Sequence, residues 1–379
     1  MGRARIEQSV VVVMRVTTAR GPAVASRVGI ALGSAILLCF STGLLSHWIQ
    51  HPPSWFWWPA HPVWLYRITQ GTHVISGVVA IPLLLVKLWA VYPRLFQRPI
   101  IGSALRIIER GFIAILVGAT IFQLSTGLLN IAQYYPWKFF FPTAHYAMAY
   151  VAVGALAVHL AVKLPVIRDA LRRPLAETES RPHISRRAVL TGTGVAAAAA
   201  GLAVAGQTIP FLRWAAVLAP RSGHGPQGVP VNRSAAAAGV GARASDPGYR
   251  LTVTLGARMR RFTRDELLSL PQTRASLPIA CVEGWSAGAD WSGVRLLDLL
   301  AAVGDYSGGD IRFRSLEQSG IYGSSILPQR HAVDDCTLVA LTVNGEILDL
   351  DHGYPCRLIA PDRPGVLQTK WLSEIEVLP

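Results

Sequence analysis

At 379 residues, with 51% hydrophobic residues and a mean hydropathy of +0.36, the chain is long enough for two ordinary domains and too apolar to lie wholly in water. Its formal net charge of +14 would suit a nucleic-acid binder only if it lay on the binding domain. Residues 207–379 hold 17 Lys/Arg against 17 Asp/Glu and residues 1–206 hold 19 against 5, so the excess sits in the apolar half and nucleic acid is excluded as a partner.

Four apolar stretches, at 25–46, 71–91, 109–130 and 144–164, have the length of about 20 residues that a bilayer crossing needs, and a shorter Ala/Gly-rich fifth runs over 188–206. The segments between them sort by charge. Residues 1–27, 92–110 and 163–187 carry 5, 4 and 7 basic residues, whereas 47–69 and 130–142 carry one each. Basic loops stay on the cytoplasmic side, so five crossings place the N-terminus inside a bacterial cell membrane and the neutral C-terminal half on the extracytoplasmic side. The outer loops "HPPSWFWWPAHPVWLY" and "YYPWKFFFP" carry the aromatics that settle at a membrane interface.

The expected organisation is an N-terminal tail (1–24), a four-helix membrane domain (25–165), a basic loop (166–187), the fifth segment (188–206), a linker (207–248) and a C-terminal domain (249–379). The fifth segment, "ISRRAVLTGTGVAAAAAGLAVAG", resembles a twin-arginine export signal, with Arg186 and Arg187 ahead of a weakly apolar run; the alternative is an ordinary positive-inside flank. Twin-arginine systems carry domains already folded around a cofactor, so the resemblance implies one. Residues 220–248, rich in Gly, Pro, Ser and Ala, read as a tether or an irregular lead-in to the domain.

Histidines inside spans are costly unless they hold a ligand or partner. His73 and His145 stand near the outer ends of the second and fourth spans, which run in the same direction, so the two can hold one heme between them. His159 follows His145 by 14 residues, about 21 Å along the same helix face. This part, roughly 25–165, resembles the four-helix b-type cytochrome subunits that exchange electrons with quinones. The resemblance implies heme b and quinone. It departs at Lys87, which stands 14 residues after His73 where a second heme would need an imidazole, and His47 lies at the outer end of its span. One outer heme on His73 and His145 is therefore expected; the alternative is two stacked hemes, the second on His159. His51 and His61 fit an interfacial role.

From Tyr249 the pattern turns to short β-like runs, "YRLTVTLG", "RMRRFT", "DIRFRSLE", "TLVALTVNG", "PCRLIAP" and "SEIEVLP", with one amphipathic helix in "GVRLLDLLAAVG". The fold class expected is an all-α transmembrane bundle followed by a strand-rich α+β domain. Cys281, Cys336 and Cys356 are an odd number for an exported domain; Cys336 and Cys356 can pair or stay as buried thiols. No CxxC or Cys/His array suggests zinc, and Cys281 has no protease partners, which leaves a soft thiolate suited to a soft metal.

The run "ACVEGWSAGADWSGVRLLDLL" is similar to the cofactor segment of the sulfite oxidase fold family of molybdenum enzymes, and "IYGSSILPQRHAVDDCTLVALTVNGEILDLDHGYPCRLIAPDRPGVLQTKWLSEIEVLP" resembles the rest of that domain. The resemblance covers 249–379 and implies a molybdenum–molybdopterin cofactor, with Cys281 as the protein ligand of molybdenum and Tyr322 beside it facing substrate. It assigns His352, Arg357, Gln368, Thr369 and Lys370 to the pterin and its phosphate, and Ser315 to a further cofactor contact. Sulfite oxidases follow the cysteine with a basic residue, whereas here Val282, Glu283, Gly284 and Trp285 follow. "CVEGWS" resembles the bacterial periplasmic branch, which includes methionine sulfoxide reductases fed by a heme membrane partner; Leu367 stands where that branch often has a basic residue. The reading is a membrane-anchored molybdenum oxidoreductase passing electrons between quinone, heme and molybdenum to reduce the S-oxide or N-oxide of a small substrate. The alternatives are oxidation of a substrate toward quinone, a heme-bearing electron carrier with an external binding domain, and a receptor whose histidines and cysteines are structural.

Overall fold

The computed structural model describes residues 20–95, 104–172, 185–219, 225–318, 320 and 322–379. Residues 1–19 of the expected tail, 173–184 of the basic loop and 220–224 of the linker lie outside them. The chain divides into two units, one of Met1–Leu44, Thr72–Gly206 and Trp214–Pro220, the other of Leu45–Gly71, Gln207–Arg213 and Arg221–Pro379.

Five helices, α1 (Pro22–Gln50), α2 (Leu65–Leu95), α3 (Ala104–Ile131), α4 (Phe141–Arg172) and α5 (Arg186–Ala205), are each long and apolar enough to cross a membrane. They coincide with the five expected stretches, and the first four run several residues further. Ser185 starts α5, its Oγ accepting from the backbone N–H of Ala188 at 3.0 Å, which satisfies one of the first-turn donors. Within the first unit, Val24, Val28, Leu32 and Ala35 recur at helical spacing on α1 and bury against Ala80, Leu83 and Leu84 of α2 and Ala197 of α5. Leu85, Ile115, Val162 and Val195 remain exposed. Helices apolar all round, with outward-facing aliphatic side chains, suit lipid better than water.

The second unit contains two five-stranded sheets. The first orders β1 (Leu251–Leu255), β2 (Arg258–Phe262), β5 (Ile311–Ser315), β6 (Ser324–Leu327) and β10 (Leu372–Val377) as β2-β1-β10-β5-β6, with β1 and β10 parallel. The other orders β3 (Gln272–Ala280), β4 (Ser286–Arg295), β7 (Leu338–Val343) and β8 (Glu346–Ile347), with β9 (Arg357–Ile359) paired to β7. Side chains alternate across a strand, and β7 shows the consequence. Val339 and Leu341 join the main core with Leu251, Phe313, Leu358 and Ile375, while Leu338 and Ala340 join a second cluster with Trp291, Ile359 and Cys281; Val343, past the irregularity in the β4–β7 register, turns to that second cluster as well. The β2 edge carries exposed Arg258, Arg260 and Arg261, charges that discourage edge-to-edge pairing. Gly293 permits the close approach of β4 to β7, because a Cβ there would collide with the backbone of Val339.

All six expected strand runs form, and the expected helix is Leu296–Ala301. The chain from 226 to 248 packs down: Val229 is buried beneath the second sheet, and Ala235, Ala238, Val240 and Ala244 are buried around Trp371. All four cysteines are free thiols. Cys356 lies in the main core within 3.2 Å of the Tyr249 hydroxyl, and Cys336 packs against the second cluster, so the two do not pair.

The aromatic loop between α1 and α2 does more than the sequence indicates. Phe56 and Trp58 pack with Ile49, Tyr66, Ala280 and Leu367. Trp58 Nε1 donates to the carbonyl of Asp362 at 3.1 Å, and the Asp362 carboxylate accepts from the backbone N–H of Tyr66 at 2.6 Å. A residue almost 300 positions away thus caps the first turn of α2, where the N–H groups lack partners within the helix. Asp362 is buried, its second carboxyl oxygen has no partner among the described residues, and burial pushes its pKa up to about 7 against the opposing donors from Tyr66 and Trp58.

A carboxyl held above its ordinary value keeps a proton in the fold that the unfolded chain releases, so its contribution is whole below about pH 4 and fades as pH rises to about 7. We expect denaturation of the wild type to lose stability across that window by up to roughly 1.4 kcal/mol per pH unit relative to Asp362→Asn, which keeps an acceptor for Tyr66 and cannot ionise.

Candidate functional site

β3 and β4 are joined by the turn from Cys281 to Trp285. The N–H of Cys281 donates to Trp285 O at 2.8 Å and that of Gly284 to Cys281 O at 3.0 Å. Gly284 adopts φ +100°, a conformation that side chains other than glycine rarely tolerate. The turn holds Cys281, 1% exposed, at the wall of a cleft of about 640 Å³.

Every other residue that the sequence assigned to this centre lines the same cleft: Ser315, Tyr322, His352, Arg357, Gln368, Thr369 and Lys370. They arrive from the ends of β5, β6, β9 and β10 and the loops between them, where a rigid pair of sheets can present side chains without burying a loop. Their roles within the protein differ. The Gln368 side chain is used at both ends, donating to Arg363 O at 3.1 Å and accepting from Ala360 N–H at 3.1 Å. Ser315 Oγ donates to Lys370 O at 2.8 Å and accepts from the N–H of Glu317, and Thr369 shares a 2.7 Å hydrogen bond with Ser325. These three brace the loop that carries Lys370.

Arg357 and Lys370 are the electrostatic centre of the cleft. Arg357 is 2% exposed and donates to the carbonyls of His352 at 3.0 Å and Gln368 at 3.2 Å; its Nε has no partner among the described residues. Lys370 donates to the carbonyls of Arg233 and of Asp351. Burial pulls Arg357 down to about 9, and burial followed by repulsion from Arg357 pulls Lys370 down to about 7. Two cations bonded only to neutral carbonyls are an unfinished arrangement, and a bound dianion such as a phosphate would complete it. His352 donates from Nε2 to Pro226 O at 2.7 Å, and burial keeps it neutral by lowering its pKa. Tyr322 is 43% exposed and holds its proton more tightly than usual, through burial and then the neighbouring Cys281 and Glu283. A soft thiol beside one buried and one half-buried cation fits a molybdenum–molybdopterin group.

Sequence reasoning missed Asn232 and Arg233, which also line the cleft. Asn232 Nδ2 stands 3.9 Å from Cys281 Sγ, and Arg233 pairs with Glu317 at 2.6 Å. They lie in the stretch read as a tether or an irregular lead-in, and the second of these is what forms. The available signal was Ser234, which caps a short helical turn by accepting from Ala237 N–H at 3.1 Å and so marks ordered chain.

In the first unit, the rings of His73 and His145 lie with centroids 6.4 Å apart. An iron bonded at about 2.0 Å to one nitrogen of each of two imidazoles sets their centroids roughly 6 Å apart. His73 Nδ1 donates to the carbonyl of Cys39 at 2.8 Å. Thr126 spends its hydroxyl proton on Phe122 O at 2.7 Å, so it accepts from His145 Nδ1 at 3.1 Å. Both rings then present an unprotonated Nε2, with the other nitrogen fixed as metal-bound histidines require. Gly43 lies so close to His73 that a Cβ would stand 2.7 Å from its Cε1. The donor set fits heme. His159 is set among Lys87, Lys163 and Glu109, and Lys87 donates to Ala25 O at 2.7 Å.

Residues 239–379 match the family described as the oxidoreductase molybdopterin binding domain. A mitochondrial sulfite oxidase of Drosophila melanogaster is 32% identical over 159 residues, covering 34% of this chain and 27% of that protein. An NADH nitrate reductase of Ulva prolifera is 30% identical over 34% of this chain and 18% of its own length. A protein of Azospira oryzae, provisionally named as a protein-methionine-sulfoxide reductase subunit, is 32% identical over 34% of this chain and 48% of its own length. The chain thus spans between about a fifth and a half of the relatives it matches. The C-terminal part is thus similar to molybdopterin-binding oxidoreductase domains, and its strand-rich fold is of the sulfite oxidase type.

A lysine whose pKa is depressed to about 7 sheds its proton in the fold before the unfolded chain does, so without cofactor its burden on stability is full below pH 7 and relieved as pH rises toward its ordinary 10.5. Lys370→Met should therefore leave unchanged or raise the melting temperature of cofactor-free protein at pH 7. The same substitution should weaken cofactor retention by about tenfold to a hundredfold, read as molybdenum per chain after dialysis.

Proposed function

We propose that the chain is a membrane-anchored molybdenum oxidoreductase with its electron-transfer partner fused at the N-terminus, reducing an S-oxide or N-oxide of a small molecule with electrons drawn from quinone through heme b. The observation that carries this reading is the cleft in which buried Cys281 stands beside Arg357 and Lys370, two cations with only neutral partners. The charge distribution of the loops supports an extracytoplasmic position for this domain in a bacterial cell membrane.

Cys281 would hold molybdenum, and Arg357 and Lys370 would hold the phosphate of the pterin, with Ser315, Gln368 and Thr369 bracing the loop that presents Lys370. His352, neutral and tied to Pro226, donates nothing further from Nε2 and contributes its other ring face to the wall. When bound, the molybdenum group supplies oxygen-atom exchange by two-electron chemistry and the heme supplies single-electron transfer. Tyr322, protonated at neutral pH and open to solvent, is placed to donate its hydroxyl to a substrate oxygen. Glu283, held by the indole N–H of Trp285 at 3.2 Å, puts a carboxylate near Tyr322. An acidic neighbour repels an oxyanion such as sulfite and tolerates a neutral sulfoxide or amine oxide.

His73 and His145 would bind the single outer heme. The surroundings of His159, dominated by Lys87 and Lys163, favour one heme over two.

In purified chain loaded with cofactors, Cys281→Ala should abolish sulfoxide reduction and leave the reduced-minus-oxidised heme spectrum intact. His73→Ala should do the reverse, removing heme absorbance and quinol-driven turnover while a reduced dye still drives sulfoxide reduction at the molybdenum site. Normal turnover in Cys281→Ala overturns the assignment of that residue.

A further inference from the structure

The turn that carries Cys281 uses two of its backbone groups internally, at Cys281 N–H and Gly284 N–H. Its outward carbonyls are taken up by side chains from elsewhere in the second unit. Gln70, near the start of α2, donates from Nε2 to Val282 O at 2.6 Å. Thr208, just after α5, donates to Gly284 O at 3.5 Å, and Gln207 O accepts from both the N–H and the hydroxyl of Ser286, at 3.0 and 3.2 Å. Arg67 ties the two outside segments together by donating to Thr208 O.

Gln70 stands out among these contacts. It is 4% exposed, its bond is to the residue that follows the sulfur ligand, and its Oε1 has no partner among the described residues. An amide buried at one acceptor's worth of cost is tolerated only where its donor is needed. The Val282 carbonyl lies in the second peptide after Cys281, inside the 281–285 turn, so fixing it limits rocking of the turn one peptide away from the Cα that bears the sulfur. Second-layer contacts of this kind set the direction and basicity of metal ligands.

We propose that Gln70, a residue of a membrane-length helix, is a positioning residue for the Cys281 sulfur, holding the turn through Val282 O so that the thiolate meets molybdenum in one orientation. This rests on Cys281 as the molybdenum ligand. Gln70 touches neither substrate nor cofactor; it acts through the turn.

The test uses the full chain loaded with both cofactors and two variants, Gln70→Leu, which removes the donor, and Gln70→Glu, which sets an acceptor against an acceptor until its new carboxyl is protonated. Gln70→Leu should keep wild-type molybdenum and heme content and an unchanged KM for a sulfoxide. Its kcat should fall by about tenfold, with a shifted paramagnetic resonance signal from one-electron-reduced molybdenum and faster amide exchange across 281–286. Gln70→Glu should match Gln70→Leu at pH 8 and, relative to wild type at the same pH, recover toward pH 5 as the carboxyl gains the proton to donate. A side chain that merely fills space gives no such recovery. Wild-type signal and kcat in both variants overturn the proposal. Should Gln70→Leu fail to accumulate, a deficit in Gln70→Glu that is absent or independent of pH overturns it. Failure of the underlying reading is separable, because it shows as an unchanged molybdenum signal in Cys281→Ala.

Discussion

Two cations held by neutral carbonyls, buried Arg357 and half-buried Lys370, govern the C-terminal domain. The hydrogen bonds of Arg357 and Lys370 go to backbone carbonyls, Arg357 Nε has no partner among the described residues, and both groups are pulled toward their neutral forms by burial. Removing a guanidinium and an ammonium from water costs several kcal/mol each, which carbonyl dipoles only partly offset. A chain that keeps both at the floor of one cleft is organised around an anion it does not itself supply. The surrounding architecture follows from that need: Ser315 and Gln368 hold the loop before Lys370, and Trp291 stacks beneath Arg357 with the guanidinium 5.2 Å from its ring.

The sheets make this arrangement rigid. β7 is buried on both faces, and its alternation feeds one set of side chains to the core between the sheets and the other to the layer containing Cys281 and Trp291. Because β9 pairs with β7 at Ala340 and Arg357, the register that buries Leu358 in the core also fixes where Arg357 points. A shift of one residue would turn Arg357 into the core and Leu358 toward the cleft. The hydrophobic pattern and the candidate site are thus set by one alignment.

Much of this was legible from residues alone. The five apolar stretches needed only length and composition, and the strands with clean alternation such as "LTVTL", or with an unbroken apolar run such as "LVALTV", announced themselves. The two longest strands, β3 and β4, did not. In "QTRASLPIA" and "SAGADWSGVR" the period of two is present, at Ala275, Leu277 and Ile279 and at Ala287, Ala289 and Trp291, but it is carried largely by alanines and interrupted by a proline and glycines, so it is weak; the burial of Leu277, Ile279 and Trp291 is completed by partners such as Leu338 and Ile359. Asn232 and Arg233 were hidden for the opposite reason. Composition around them is that of a linker, and the order there comes from tertiary contacts such as Asp351 accepting from Ala235 N–H at 2.7 Å.

The aromatic loop after α1 shows how a sequence reading can be right locally and incomplete globally. Tryptophans beside a membrane span do suit an interface. Yet Trp58 gives its only donor to Asp362, and Asp362 gives its carboxylate to the first turn of α2. Neither bond is implied by the local sequence, because the partner of each lies about 300 residues away. Buried backbone groups must find partners somewhere. The unit that contains Cys281 finds several of its own in segments that hydropathy assigns to membrane helices and their ends. Gln70 for Val282, Gln207 for Ser286 and Asp362 for Tyr66 therefore mark the second unit as a single hydrogen-bonded body assembled from three stretches of chain. The cysteine turn is hydrogen-bonded to residues that a domain boundary drawn at 249 would have left out.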